Sequence, residues 1–565
     1  MKHILYILAL LLVATLEVKG KTPKFLTKSR QAQVTVIAHD ADGNLHEGQG
    51  VILNALGEVI TEYDLLKGAV SATVIDCKGV EYPVRYLCGA SSMYNMAKVL
   101  IEPGKHKLYT LEAIEDSLGI GTAVYVLPNA KSDKKALASN DTVTKDNLFR
   151  ESYHYYTLAN AHNERQACSP VLDGEGRLAA LLQLPTKSGD NAFAIDIRFG
   201  ADLKITSLDA SNNDLRSIAL PKRLPEGEEA AATFIYLSGT KDTVQYLDYV
   251  DEFIHLYPQS ASGYTMKGEL LAAAKRFDEA EKAYEEGLAQ DSTSKDELHF
   301  SLAKAIYALN FTPRYETYKD WTLEKSATEA AQAYAINPLN IYLNQQAHSL
   351  YAAKNYSEAE RLFLALTKTD MRSADLFLYV AQCRQMQEAS INDILAMQDS
   401  AVACFTKPYP AAAANSLLMR GISRAKAERY REAIADYNEY EHLMGGNLTA
   451  NFYYEREQIE IKCRMYPAAM NDIERAIRLQ PKEALLHAEC AALNYRVGEV
   501  DEAIRYATEA TRLDPEFADP YRILGVCYEQ KGETQKACEC LEKAIGLGDT
   551  MAKDVLKKLK AGSKN

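Results

Sequence analysis

Residues 484–517 read ALLHAECAALNYRVGEVDEAIRYATEATRLDPEF, and residues 518–550, which follow directly, read ADPYRILGVCYEQKGETQKACECLEKAIGLGDT. The two segments are copies of one 34-residue unit, because small residues recur at matched positions. The matched pairs are Ala491 and Gly525, Ala503 and Ala537, and Ala510 and Ala544. Small side chains let two helix backbones approach closely, so each copy predicts a pair of packed helices. One pair cannot bury its own apolar face, and further stacked copies are therefore expected.

The period, the small residues and Pro515 at the end of the first copy resemble the tetratricopeptide repeat. Weaker copies upstream carry an aromatic residue followed three positions later by alanine. These motifs stand at residues 277–280, 356–359, 430–433 and 466–469. The resemblance implies an α-helical superhelix of about eight to nine repeats over residues 228–560, with one concave side that binds protein or peptide partners.

Composition places the chain among soluble proteins of more than one domain. It has 565 residues, of which 47% are hydrophobic and 25% are charged. The formal net charge of −13 argues against nonspecific nucleic-acid binding, which needs a basic surface. No CxxC motif and no Cys/His spacing suggests a metal site, so we expect no metal and no cofactor.

Residues 1–20 have the pattern of a secretory signal peptide. Lys2 and His3 precede an apolar run at residues 4–14, and small residues lie before the expected cleavage point at Gly20. This run is too short to cross a bilayer, and no later stretch is longer, so no transmembrane segment is expected. The sequence predicts an exported protein, periplasmic or secreted; a buried N-terminal helix is the alternative.

The ten cysteines are widely spaced. Seven lie in the helical half, mostly at small-residue helix positions, and are interpreted as buried thiols. An oxidising compartment permits disulfides, and the sequence leaves open whether Cys77 and Cys88 form one across neighbouring strands.

Residues 21–206 consist of short runs of strand-forming residues separated by Gly, Asp or Asn. Examples are VTVIAHD at residues 34–40, SATVIDC at residues 71–77 and TAVYVLP at residues 122–128. Many short strands at this spacing predict an antiparallel barrel or sandwich.

Three of these segments resemble trypsin-like serine proteases of the HtrA type, in the family's order. They are GQGVILNALGEVITEYDLLKGA at residues 48–69, EDSLGIGTAVYVLPNA at residues 115–130 and ACSPVLDGEGRLAALLQLP at residues 167–185. The resemblance implies a trypsin-like double β-barrel. The complete fold class is then multidomain β + α, with the barrels followed by a tetratricopeptide superhelix.

The family's catalytic side chains do not accompany this resemblance. Asp64 stands at the general-base position, Asn95 at the orienting carboxylate and Ala167 at the nucleophile. The two glycines that follow the nucleophile in the family are Cys168 and Ser169 here. A methyl group cannot attack a carbonyl, so we interpret the domain as a pseudoprotease with no catalytic residues.

One alternative keeps catalysis. Cys168 or Ser169 would serve as a shifted nucleophile, with His154 or His162 as its base, in an active serine or cysteine endopeptidase. Even without cleavage, a trypsin-like groove is expected to bind extended peptides, because main-chain pairing needs no catalytic side chain.

Residues 207–227 are polar and contain Pro221, Pro225 and Gly227, so they are predicted to link the two domains. In the tetratricopeptide family the thirteenth position of each unit lies on the concave wall, and here three successive units have Lys426, Lys462 and Arg496 there.

Further predicted wall residues are Asn451, Tyr454, Tyr495 and Arg522. A cationic stripe beside Tyr and Asn side chains predicts binding of an acidic or extended peptide. The alternative is that Lys and Arg near a helix end only favour the helix dipole.

The sequence therefore predicts an exported, non-catalytic interaction protein that binds peptide or protein partners. A second alternative is a cell-envelope scaffold in which only the helical half binds. The sequence specifies neither the identity of the partner nor the oligomeric state.

Overall fold

A computed structural model describes residues 23–132, 136, 138–162, 166–183, 191–239, 242–290, 294–311, 318–446 and 448–562. The predicted signal peptide lies outside the described residues. The chain forms two compact units that divide between Ser294 and Lys295. The first contains all the described strands and the second is helical.

Six strands form a closed antiparallel barrel in the first unit. They are β1 (Gln33–Asp40), β2 (Leu45–Ile52), β3 (Glu58–Thr61), β4 (Ala69–Ile75), β5 (Glu81–Ser91) and β6 (Met96–Ile101). Their order around the barrel is β1-β2-β3-β6-β5-β4. Alternate residues of β1 fill the interior, where Val34, Val36 and Ala38 are buried. Helix α1 (Lys24–Ser29) precedes the barrel, and α2 (Tyr63–Leu66) follows β3.

Six further strands form a second closed barrel. They are β7 (Ala123–Val126), β8 (Ser139–Phe149), β9 (Tyr153–Leu158), β10 (Pro170–Leu172), β11 (Leu178–Gln183) and β12 (Phe193–Asp196). Their order is β10-β11-β12-β9-β8-β7, and pairing of β10 with β7 closes the barrel. Two antiparallel barrels followed by helices confirm the predicted fold class.

The predicted linker is structured. After α3 (Ile197–Asp202) it contains a 3-10 helix at Ser207–Ser211 and α4 (Asn213–Arg216). Leu220 and Leu224 are buried in the same core as the interior of the first barrel. Lys222 holds this segment, because its Nζ donates hydrogen bonds to the carbonyls of Ile218 and Leu220.

The remaining chain is a succession of helices. They are α5 (Glu228–Ser238), α6 (Thr243–Leu256), α7 (Ala261–Ala273), α8 (Phe277–Ala289), α9 (Lys295–Asn310), α10 (Leu323–Ile336), α11 (Asn340–Ala352), α12 (Tyr356–Leu366), α13 (Ala374–Met386), α14 (Ile391–Val402), α15 (Ala414–Lys426), α16 (Tyr430–Leu443), α17 (Ala450–Lys462), α18 (Tyr466–Leu479), α19 (Ala484–Val497), α20 (Val500–Leu513), α21 (Ala518–Gln530), α22 (Thr534–Gly546) and α23 (Met551–Gly562). Within the described ranges, α5 to α22 make nine consecutive pairs, and α23 follows the last pair.

Small residues lie where the two helices of a pair meet. A Cβ added at Gly268 would lie 2.4 Å from the ring of Tyr284, and one at Gly525 would lie 2.6 Å from Leu541. Both distances are too short for a non-bonded contact, so only glycine allows these pairs to approach so closely. The small residues that define the period thus have the packing role predicted from the sequence.

All ten cysteines lie within the described residues, and none forms a disulfide. Cys77 is exposed and Cys88 is buried. In the helical half Cys383, Cys490 and Cys527 are buried as predicted, whereas Cys404 is exposed. Among the described helices, none combines the length and the apolar character needed to cross a membrane.

Candidate functional site

Two of the three positions that were aligned with the protease triad, Asp64 and Asn95, are in contact. The backbone N–H of Asp64, in α2, donates a 2.9 Å hydrogen bond to Oδ1 of Asn95, in the turn before β6. The side-chain amide of Asn95 also reaches Glu62 Oε1 at 3.4 Å. In the alignment predicted from the sequence, these two side chains stand where the resembled family has an imidazole and a carboxylate.

Gln49 connects the two barrels beside Ala167. Its Nε2, on β2 of the first barrel, donates to the carbonyl oxygen of Ala167 and to Ser169 Oγ, the latter at 3.0 Å. Its Oε1 accepts a hydrogen bond from the backbone N–H of Ala130 at 3.2 Å. One buried amide thus fastens the turn that contains Ala167 and the loop after β7 to the first barrel.

Cys168 keeps the turn but is not placed as a nucleophile. Its φ is +60°, in the left-handed region that favours glycine, which is the residue the resembled family has at this position. Its side chain belongs to the buried cluster that also includes Leu172 and Leu181. Burial raises the pKa of the Cys168 thiol well above its usual value, and the nearby Glu62 carboxylate adds to this. The reactive thiolate is therefore disfavoured.

Ser169 and the two candidate histidines are also engaged elsewhere. Ser169 is fully buried against Gln49. His154 Nδ1 lies 2.6 Å from Asp146 Oδ1, and His162 Nε2 lies 2.8 Å from Asp141. Among the described residues, neither Cys168 nor Ser169 makes a hydrogen bond to a histidine.

An open cleft of about 780 Å³ remains between the barrels at this point. Its walls include Gly48, Glu62 and Ala167. Burial raises the pKa of the Glu62 carboxyl, and the neighbouring Asp64 carboxylate raises it further. Within the described residues no group of His, Cys, Asp and Glu side chains is arranged to hold a metal ion.

In the helical part, the predicted cationic stripe is exposed. Lys426 and Lys462 are the last residues of α15 and α17, and Arg496 is the second-last residue of α19. All three side chains are exposed. None forms a hydrogen bond or ion pair with another described residue, so their charges are available to a ligand.

Other predicted wall residues are arranged differently. Arg522 is bound by two carboxylates, at 2.8 Å from Asp519 and 2.7 Å from Asp549, so its charge is already compensated. Asn451 donates to Glu455 Oε1 at 2.8 Å. Tyr495 is exposed, and Tyr454, on the same helix as Lys462, is half-buried.

A buried acidic group beside Tyr454 was missed by the sequence reasoning. Glu457 on α17 is fully buried, at the position that holds Ala491 and Gly525 in the two clear copies. Gln458 Nε2 donates to Glu457 at 2.7 Å and reaches Glu489 of α19 at 3.4 Å. Burial raises the pKa of Glu457 to about 8, and the Glu489 carboxylate contributes. Its departure from the small-residue pattern was the signal in the sequence.

The sequence profile of the tetratricopeptide repeat family matches residues 247–296 and 491–552. These segments include the helix pairs α7–α8 and α21–α22, whose close contacts at Gly268 and Gly525 are described above. The chain contains tetratricopeptide repeats. Outside the two matched segments, the same pattern of paired helices continues through most of the second unit.

Two fungal proteins are similar to part of this chain. The chain is 33% identical over 99 residues to small glutamine-rich tetratricopeptide repeat-containing protein 2 of Mycosarcoma maydis, covering 18% of this chain and 28% of that protein. It is 28% identical over 93 residues to the protein of the same name from Saccharomyces cerevisiae, covering 16% and 27%. The alignments therefore span between a quarter and a third of these relatives.

Two solved structures are also similar to the repeat region. YrrB, described as a TPR protein with an unusual peptide-binding site, has a TM-score of 0.30 and 23% identity, covering 35% of this chain and 97% of YrrB. MamA has a TM-score of 0.27 and 20% identity, covering 31% of this chain and 97% of MamA. The two barrels are compatible with the trypsin-like fold that the N-terminal sequence resembles.

Proposed function

We propose that this protein is an exported, non-catalytic interaction protein that binds peptide or protein partners through the exposed faces of its tetratricopeptide repeats. In this proposal the β unit is a protease-like domain without proteolytic activity. The tetratricopeptide repeats themselves support a role in protein–protein interaction. Export rests on the N-terminal sequence pattern alone.

The observation that carries the proposal is the exposed stripe of Lys426, Lys462 and Arg496. Three cations on successive first helices have no ion-pair partner among the described residues, although carboxylates are abundant in the chain. A row of exposed cations without ion pairs on three neighbouring repeats fits an acidic, extended peptide, whose carboxylates would form charge-assisted hydrogen bonds.

The proposed loss of proteolysis rests on the turn at residues 166–170. The nucleophile position has only the methyl group of Ala167, the Cys168 thiol is buried with a raised pKa, and Ser169 Oγ is bonded to Gln49. Purified protein is expected to release no peptide from casein. Turnover that disappears in a Cys168→Ala or Ser169→Ala variant would contradict this part of the proposal.

Partner binding is tested by affinity capture from the native cell envelope with the full chain. A variant with Lys426→Ala, Lys462→Ala and Arg496→Ala is expected to lose the acidic partners that the wild type retains. The matched control is Lys553→Ala with Lys557→Ala on α23, which removes cations of another helix. Equal capture by the stripe variant and the wild type would reject the stripe as the binding surface.

A further inference from the structure

A second surface lies on α11, α13 and α15, the first helices of three successive repeats. They surround a cavity of about 570 Å³. The lining of this cavity includes Asn344, His348, Asp375, Tyr379, Gln382 and Asn415. Their spacing of three, four or seven positions along each helix places them on one helix face.

The floor of the cavity is aromatic and uncharged. The rings of His348 and Tyr379 lie 4.7 Å apart at 87°. Both rings pack on Phe363 of α12, at 5.2 Å and 5.0 Å. Burial lowers the pKa of His348 below its usual value, so the imidazole is neutral at pH 7. The packing fixes both rings, and their electron-rich faces favour a cation over an anion.

Asp375 is the one charged residue in the described lining. Its carboxylate is exposed in the first turn of α13 and makes no hydrogen bond or ion pair with another described residue. A carboxylate at this position also interacts favourably with the helix dipole. That interaction leaves its outer lone pairs available to a cationic ligand.

Amide side chains flank the aromatic floor. Asn344 on α11 and Asn415 on α15 make no hydrogen bond with another described residue. Gln382 accepts a 3.1 Å hydrogen bond from the Tyr351 hydroxyl, which leaves its NH₂ group as a donor. An amide both donates and accepts, so these groups match the alternating N–H and C=O of an extended chain.

We propose that this cavity binds a Lys or Arg side chain within an extended segment of a partner protein. The aliphatic stem lies against Tyr379 and His348, the cation pairs with Asp375, and Asn344 and Asn415 hold the main chain. The proposal rests on the proposed function of the repeats as a peptide-binding surface. It adds a site of opposite charge preference to the Lys426–Lys462–Arg496 stripe.

Charge complementarity decides this occupant. An acidic side chain would meet Asp375 without a neighbouring cation in the lining, and like charges repel. A purely apolar side chain would cover the Asp375 carboxylate without replacing its water. A basic side chain satisfies the carboxylate and uses the aromatic surface at the same time.

The test begins with selection of random peptides on the full chain. An enriched peptide is labelled with a fluorophore and titrated by fluorescence anisotropy against wild type, Asp375→Asn and Tyr379→Leu. A version of the peptide with its basic residue replaced by Met is titrated in parallel. The matched control is Glu529→Gln, which removes an exposed carboxylate from α21, and circular dichroism verifies that every variant is folded.

Enrichment of Lys or Arg, with about tenfold weaker binding by each cavity variant and by the Met peptide, is the expected result. Binding to Glu529→Gln should equal that of wild type. Peptides that bind equally to the cavity variants but are lost in the stripe variant would overturn the cavity and leave the proposed function intact. Selection of no peptide by the wild type would reject both.

Discussion

Cys168 occupies a turn position whose backbone conformation favours glycine. The φ of +60° at this residue is a strained backbone angle for residues other than glycine. The surrounding hydrogen bonds hold it: the Cys168 N–H donates to Leu182, and the Ser169 N–H donates to Gln166. These backbone hydrogen bonds fix the turn at residues 166–170.

The reactivity of the cysteines provides a first prediction. Iodoacetamide at pH 7.5 should label the exposed Cys77 and Cys404 in the native protein, while Cys168 should react only after denaturation. The reason is that alkylation requires a solvent-accessible thiolate, and burial both hides the Cys168 sulfur and raises its pKa. Peptide mass spectrometry measures the labelling at each site. Labelling of native Cys168 as fast as Cys77 would contradict the assignment of a buried, unreactive thiol.

Gln49 provides a second prediction. Gln49→Ala should lower the free energy of unfolding of the β unit by about 1–3 kcal/mol, because the substitution removes the buried partner of Ala167, Ser169 and Ala130. Hydrogen exchange of the barrel strands in urea, followed by mass spectrometry, reports this unit separately from the helices. Lys105→Ala, in an exposed loop, is the control and should change little. Equal effects of the two substitutions would show that Gln49 does not join the barrels.

At the scale of single elements, the helices follow the sequence pattern more closely than the strands do. The 34-residue period gives the helix pairs directly, since contacts within a pair are local in sequence. Two strands were not predicted: β8 and β9. β8 contains Asn140, Asp141, Asp146 and Asn147 among its eleven residues, and such residues are rare in strands. Pairing with β7 and β9 across the barrel overrides that local preference.

The repeat containing α17 and α18 has several charged side chains in its interior. Arg456 forms two hydrogen bonds with Asp472, at 2.6 Å and 2.9 Å, in a site where both residues are buried. Glu457 and Glu460 are buried beside this pair. Burial raises the pKa of Glu460 to about 7, with the Asp472 carboxylate contributing. The stability of this repeat should therefore depend on pH.

The third prediction concerns Glu457. Its ordinary pKa of 4.5 rises to about 8 in the folded chain, because of burial and of the facing carboxylates of Glu489, Glu460 and Asp472. The folded state then binds the proton more tightly, so stability should fall as pH rises from about 4.5 to about 8. Glu457→Gln removes this ionisation, and it should stabilise the repeats at pH 8.5 relative to wild type but much less at pH 5.

The fluorescence of Trp321 can report the stability of the second unit, which contains Glu457. Trp321 is the single tryptophan of the chain and is fully buried in the second unit, so its fluorescence follows the urea unfolding of that unit. The control is Glu529→Gln, an exposed carboxylate on α21. If Glu457→Gln and wild type lose stability with the same slope between pH 5 and pH 8.5, Glu457 is not the titrating group.

At the scale of the whole molecule, the boundary between the two compact units lies between Ser294 and Lys295. It does not lie in residues 207–227, which join the barrels to the helices. Phe234 of α5 and Val250 and Phe253 of α6 share one core with Leu87 and Val99 of the first barrel. The Tyr86 hydroxyl also donates to Glu252 of α6 at 2.8 Å. The first helices thus belong to the same compact unit as the barrels. Residues 207–227 as a domain linker remain a prediction.

The fourth prediction follows from this shared core. A fragment of residues 21–294 should unfold at a higher temperature than a fragment of residues 21–227, which exposes the surface that α5 and α6 cover. Each large apolar side chain lost from the core costs about 1.5–3 kcal/mol, so the difference should reach several kcal/mol. Differential scanning calorimetry of both fragments measures it. Equal melting temperatures would mean that α5 and α6 add nothing to the stability of the barrels.

The sequence by itself determined the features that depend on nearby residues. The 34-residue period predicted the helix pairs, the runs of strand-forming residues between Gly, Asp and Asn predicted the antiparallel barrels or sandwich, and Ala167 has no nucleophilic group at the aligned position. The tertiary structure decided what depends on distant residues: the bonds of Gln49 to the second barrel, the packing of α5 and α6 on the first barrel, and the cavity between α11 and α15. The physical reason is that helix periodicity is repeated every few residues, whereas burial, shifted pKa values and shared cavities arise from chain segments brought together only by folding.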